Sequence, residues 1–311
     1  MAFWKKKKQN TERQKPEEQK TEVLQQDLSK KDENNGLIFT MALLFEDKVS
    51  IPDKEKLTEI FDRHMGGVEC FSYDGEKTAG FTLKSYTGEV KEGRLPVSLL
   101  TTGCIPVPEG HFDAFTRSQF WHCRNRDEIL ARCRYQLLAT DFLAATLEYK
   151  DRAKLEMDYM YALLEAYPQC RAIYFTNSGT LFSREDILKY DGEESNKFLH
   201  LAVNIRFFRI QDTEDFIVDT TGMSALHLPD LQYHFHGMNP DWVINHAWNM
   251  LCYIFEKGDV IKGGDTVDGM SYGQMDIDVQ WKCNYEEALI QPARHVLDIN
   301  MGQYASGKRN N

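Results

Sequence analysis

Apolar residues along this chain switch repeatedly between a spacing of two and a spacing of three to four. The clearest helix falls at 240–257, where Ile244, Ala247, Trp248, Leu251, Cys252 and Phe255 form one apolar stripe. Asn239 suits the N-cap, Pro240 the first helical position and Gly258 the left-handed residue that ends it. Downstream, Met275, Ile277, Val279, Trp281 and Cys283 alternate with Asp276, Asp278, Gln280 and Lys282, which predicts a strand with one buried and one wet face.

The same reading applies upstream. Leu37, Phe39, Met41, Leu43 and Phe45 line one strand face, and Ile38, Ala42 and Leu44 make the other apolar, as in a central strand. A helix over 53–65 follows, with Ser50 and Asp53 in capping-box spacing and Gly66 as its stop. Strands are expected near 68–73, 78–86 and 96–103, then a helical region over 111–133 with Asn125 and Glu128 as a second capping box. Strand 134–141 leads into a helix over 148–166, and strand 170–176 closes in the turn Asn177-Ser178-Gly179. Ser183 and Asp186 cap a short helix, and Leu199, Leu201, Val203, Ile205 and Phe207 alternate as a strand. That strand returns through the turn 211–215 as a hairpin, and a further strand spans 231–235. The pattern predicts an α+β fold with mixed, mostly antiparallel sheets and helices packed on their faces. Strands at 37, 68 and 79 around helix 53–65 echo those at 231, 275 and 294 around helix 240–257, suggesting two β-α-β-β-like halves.

Charge divides the chain. Residues 1–36 hold nine basic and seven acidic side chains and little to bury, so a disordered tail is expected there. The remaining 28 basic and 41 acidic residues leave the body at −13, which repels phosphate backbones and argues against nucleic acid as a ligand. The body is expected over 37–303, divisible into packed halves 37–133 and 134–303, with a short polar tail at 304–311. Phe3 and Trp4 beside Lys5, Lys6, Lys7 and Lys8 suit weak contact with an anionic membrane surface. No apolar run is long enough to span a bilayer, and no apolar segment follows the N-terminal lysines as in a secretory signal. Ala2 excludes N-myristoylation. Seven scattered cysteines without a C-x-x-C pair read as reduced thiols of a cytoplasmic protein.

Candidate chemistry is sparse. His234 and His236 share one strand face and could chelate one metal ion, with His227, Asp230, Asp241 or His246 as a third ligand, though no complete ligand signature accompanies them. The loop Lys262-Gly263-Gly264-Asp265-Thr266 could aim backbone amides at a ligand or partner, and Ser271 extends that surface. Gly269-Met270-Ser271-Tyr272-Gly273 fits the G-x-S-x-G string with Asp276 or Asp278 and His295 behind it. A nucleophile elbow, however, needs a strand before the serine and a helix after it. Asp276 and Asp278 read as solubilising residues of a wet strand face.

Several segments carry a resemblance. They are Trp121-His122 before a helix, the strand–helix–strand run 134–176, Thr220-Thr221-Gly222-Met223, Lys257-Gly258-Asp259 running into Gly264-Asp265-Thr266-Val267, and Pro292-Ala293-Arg294-His295-Val296-Leu297. Together, over about residues 121–302, they resemble an uncharacterised bacterial family known only as a domain of unknown function, number four-two-six-one. The resemblance implies a bacterial cytosolic α+β protein and no catalytic residue or cofactor; Asn284–Gln291 is extra relative to the shorter connections of that family. With no complete catalytic constellation, the sequence favours a non-catalytic module that binds a protein or small-molecule ligand; the alternative is a metal-dependent hydrolase centred on His234 and His236.

Overall fold

The computed structural model describes residues 38–91 and 93–307. The expected tail 1–36, with its membrane contact through Phe3 to Lys8, lies outside the described residues. In chain order the elements are β1 (Thr40–Phe45), α1 (Lys54–Met65), β2 (Val68–Tyr73), β3 (Thr78–Val90), β4 (Gly93–Thr102), β5 (Ile105–Pro106), α2 (Ala114–Ser118), α3 (Arg126–Arg132) and β6 (Tyr135–Phe142). Then come α4 (Tyr149–Ala166), β7 (Ala172–Phe175), β8 (Thr180–Ser183), α5 (Arg184–Leu188), α6 (Lys197–Ala202), β9 (Asn204–Arg209) and β10 (Asp215–Thr221). The chain ends with β11 (Asp230–His236), α7 (Pro240–Lys257), β12 (Thr266–Ser271), β13 (Gln274–Glu287) and β14 (His295–Asn300).

The strands form two mostly antiparallel sheets, so the protein is α+β. The first has the order β2-β3-β4-β6-β1-β7-β8, with β5 beside β6; the second has β12-β13-β14-β11-β10-β9. A repeat is legible in these orders. In the second sheet β14 pairs parallel with β11. In the first, β4 and β1 are each antiparallel to the intervening β6, so they too run in one direction. Each sheet thus contains a β-α-β-β-β run with the same spatial order, and β6 is the strand that one copy has inserted. The division expected at 133/134 therefore cuts through the first sheet, because β6 pairs with both β1 and β4.

One apolar cluster fills the space between the sheets and α1, α4 and α7. Helix α4 is buried on nearly every side, from Ala153 to Ala166, rather than along one stripe. Its Tyr159 donates to the Leu100 carbonyl (3.1 Å), and its first turn meets the end of α7, where Tyr149 lies edge-on to Phe255. On the opposite face of β1, Leu44, Ala172 and Leu181 pack with Phe120, Cys123, Ile129 and Cys133 from the α2–α3 region. Arg152 of α4 is buried and donates twice to Asp141 of β6 and once to the Ala225 carbonyl, tying the first sheet to the connection before β11.

Several expectations shift locally. Alternation over Leu199–Val203 predicts strand, yet α6 occupies 197–202, because Phe198, Leu199, Leu201 and Ala202 are all buried and no wet face exists to select a period. Asp53 and Asn125 are N-caps without side-chain cap bonds, whereas Ser183 and Asn239 do cap their helices. The face of α7 that is buried deepest is centred on Val243, Ala247, Met250 and Ile254, with Ile244, Trp248 and Cys252 packed at its margin. The polar tail expected from 304 is pinned as far as Gly307: Ala305 bridges to Phe235, and Ser306 donates its amide to the His234 carbonyl (2.8 Å).

Candidate functional site

Strand β11 sends Leu231, Tyr233 and Phe235 into the core and Asp230, Gln232, His234 and His236 to the other face, as the alternation requires. Register then places Asp219 beside Gln232 and Asp215 beside His236, with Arg206 beside Asp219 on the next strand. On the far side Gln232 meets Asp298 of β14. A polar strand face of this kind ordinarily meets water. It is instead a buried polar layer, since residues 288–294 cover one part of it and 302–307 another.

Its centre is ionic. Arg206 forks onto both oxygens of Asp219, and Arg294 donates through Nη2 to the same carboxylate (2.8 Å). Arg294 also lies 3.6 Å from Asp230, so two cations face two anions. Other guanidinium hydrogens reach carbonyls, Arg206 to Gln291 and Arg294 to Pro292 and Ile290 of the covering segment, and Arg294 also to Thr220 of β10 (2.6 Å). Burial raises the Asp230 carboxyl above its ordinary range, opposed by Arg294 and by hydrogen bonds from Thr220 and the Met223 amide. Gln232 bridges outward, donating to Glu286 (3.0 Å) and Asp298 (3.3 Å) while accepting the Leu289 amide (2.7 Å). These groups are bound to one another, so the layer holds the covering segment in place and offers no open reaction centre.

The two proposed metal-binding histidines lie at the edge of this layer. His234 is 12% exposed at its side chain, and its Nε2 is 3.5 Å from Asp215 Oδ2. Ser306 donates to Asp215 (2.9 Å), so its hydroxyl accepts from His236 Nδ1 (3.0 Å). Expected third ligands do not converge here: His227 is exposed beyond a 3-10 turn, Asp230 sits with Arg294, and Asp241 is in the first turn of α7. His246 lies on the core side, where its Nε2–H donates to the Asp268 carbonyl (2.8 Å) and its Nδ1 accepts from Tyr233 (2.9 Å). Burial lowers its pKa, consistent with a neutral ring that ties α7 to β11 and β12. Among the described residues, no three His, Cys, Asp or Glu side chains are grouped to hold a metal.

The glycine-rich loop is a tight turn. Gly264 donates its amide to the Cys283 carbonyl (2.7 Å), Cys283 returns a bond to the Asp265 carbonyl, and the Asp265 side chain accepts the Lys262 amide. The Lys262, Gly264 and Asp265 amides are therefore committed to the fold, while residues 262–266 are exposed. Thr266 begins β12, a strand where a loop was expected, and Ser271 ends it. A two-residue turn at Tyr272-Gly273, both at positive φ, leads into β13, so the G-x-S-x-G string is a hairpin and no elbow.

This hairpin departs most from the expected strand. Only Lys282–Glu287 of β13 pairs with β14, so its first half is paired to β12 alone and projects past the sheet. Pairing jumps from Asp268–Gln280 to Gly269–Asp276, which leaves Ile277, Asp278 and Val279 without partners on β12; Ile277 and Asp278 are exposed, while Val279 packs partly against the core. Trp281 and Cys283 are buried as predicted, but Met275 is 43%, Ile277 75% and Tyr272 94% exposed. The arm is anchored: Gly269 fits under Trp281, and Gly273 lies against the Trp242 ring, where an added Cβ would come within 2.7 Å.

Sequence reasoning missed the ionic centre, although Arg206 and Asp219 interrupt otherwise apolar strands and could have been read as buried charges. Residues 219–300 match the profile of a family described as a domain of unknown function, DUF4261. The match begins at Asp219 and ends with β14, so it takes in the ionic layer except Arg206, together with α7 and the projecting hairpin. The part of the resemblance over 121–218 lies outside it. No curated protein and no solved structure matches the chain.

Proposed function

We propose that this protein is a non-catalytic interaction module, bacterial and cytoplasmic, that docks on a partner protein through the β12–β13 hairpin. The observation that carries this reading is the anchored arm with Tyr272, Met275 and Ile277 exposed at its end. A bulge that turns an isoleucine toward water has no use in packing this chain, whereas an apolar tip on a rigid arm can fill a partner's socket. Asp268, Asp276 and Asp278 flank these residues, so the partner should present cations around that socket. Seven unpaired cysteines support a reducing compartment. No helix among the described residues is long and apolar enough to cross a membrane.

Affinity capture with the full chain, followed by binding to the purified candidate, tests the reading. The wild type should retain a partner that the Tyr272→Ser/Ile277→Ser variant loses, while melting temperature is unchanged. A partner held equally by both would refute it. A metal-dependent hydrolase at His234 and His236 draws on one observation, the Asp215 carboxylate beside His234. Stoichiometric metal in the purified protein, lost in His234→Ala, would favour that second reading.

A further inference from the structure

Far along the chain from the hairpin, at the end of β1, lies a groove of about 1030 Å³. Six cations line it: Lys48, Lys56, Arg132, Arg171, Arg184 and Lys189. Three anions, Glu46, Asp47 and Glu185, oppose them, so the groove holds an excess of three positive charges in a chain whose formal net charge is −11. The cations come from separate parts of the chain: the segment after β1, α1, α3, the lead into β7, and both ends of α5.

Internal pairing engages four of these six cations and leaves two lysines for an incoming anion. Glu46 is shared by two guanidiniums, Arg132 (2.9 Å) and Arg171 (3.1 Å), each about half exposed at 52% and 50%, and Arg132 also pairs with Glu128 on its own helix (3.1 Å). Arg184 is committed to the fold, since it donates to the Leu164 and Tyr167 carbonyls at the end of α4. Lys189 pairs with Glu185 on the surface, and Lys48 and Lys56 are exposed without an ion pair to any described residue. The floor is apolar. Leu188 is 53% exposed, and Val49 and Pro52 are partly so. The two aromatic rings in the wall, Phe45 and Tyr167, are sealed at 0% and 1%, so no ring is open for a nucleobase to stack on.

We infer that this groove binds an acidic peptide segment of a partner protein, one that alternates carboxylates with aliphatic side chains. Dispersed cations over an aliphatic floor match that chemistry. The Glu46 carboxylate between two arginines marks where an incoming carboxylate can share or replace it. Charge complementarity selects the occupant here, because a second cationic segment would be repelled from the rim.

Fluorescence anisotropy with the full chain tests the inference. The probe is a labelled decapeptide alternating glutamate and leucine; its comparators are the glutamine–leucine peptide and a single-stranded thymidine oligonucleotide. The acidic peptide should bind saturably, and about tenfold more tightly than the neutral one, with affinity falling as salt rises from about 50 to 300 mM. Lys48→Glu/Lys56→Glu should weaken it about tenfold or more while leaving melting unchanged, because both side chains are exposed. Ile277→Ser should leave it unaltered, which separates this site from the hairpin. No saturable binding at millimolar protein, equal binding by the charge-reversed variant, or tighter binding of the oligonucleotide would overturn the proposal.

Discussion

Replacing Asp219 with alanine should be among the costliest single changes to this fold. The carboxylate is fully buried and is held by a fork from Arg206 and a further bond from Arg294. Truncation leaves two guanidiniums enclosed at 5% and 7% side-chain exposure, with Asp230 as the nearby counter-charge, 3.6 Å from Arg294 alone. Breaking a buried pair in this way costs about 3–5 kcal/mol, since the stranded charge can neither reach water nor lose its proton. A domain with about 5–15 kcal/mol of stability would still fold, so urea denaturation can measure the loss directly. Adding Arg206→Met to Asp219→Ala should cost less than the two single losses together, because the second change removes a charge that the first has orphaned. A cost below about 1 kcal/mol for Asp219→Ala, or simple additivity, would refute the view that this layer is structural cement.

Other outcomes follow from buried groups. Burial raises the Glu156 carboxyl well above 4.5, with Asp141 adding to the shift and Arg152 opposing it. The folded state therefore holds a proton that the unfolded chain releases, so stability should fall as pH rises from about 4.5 toward and through the folded value. Glu156→Gln should flatten that decline and melt higher than wild type at pH 8; an unchanged pH profile would contradict the assignment. The Cys170 and Cys283 thiols are pushed up to about 12, and Cys123 and Cys133 to about 11, by burial. In the native protein at pH 8 a thiol reagent should thus modify Cys70 and Cys252 first, and the other five only on unfolding. Gly222 sits at φ +119, and an added Cβ would lie 2.4 Å from the Ala202 carbonyl oxygen. Gly222→Ala should consequently lose on the order of 2 kcal/mol or more in the same denaturation assay.

Where one face of an element is buried and one exposed, the sequence pattern located it closely. Helix α7 is bounded where Asn239, Pro240 and Gly258 place it, and α1, α4 and the central strand β1 fall within a few residues of expectation. The pattern failed where burial is on all sides, as in α6, and where a polar face is covered by polar groups. Hydrophobic alternation cannot distinguish water from a layer of arginines and carboxylates, so nothing in the pattern of Asp230, Gln232 and His234 shows that this face is covered. The bulge was hidden for a related reason: Met275 and Ile277 continue the alternation of Trp281 and Cys283, but this stretch runs beyond the pairing with β14 and is left exposed. The distal pairing that closes the site, Arg294 onto Asp219, joins residues far apart in the chain and has no local signature.

Hydrogen exchange on the complex with a captured partner tests the central claim most directly. Protection gained on binding should concentrate at 266–281, with Tyr272 and Ile277 at its centre, while β11 and the ionic layer, already closed in the free protein, change little. Protection that instead appeared at His234 and His236, leaving the hairpin amides exchanging as in the free protein, would contradict the account.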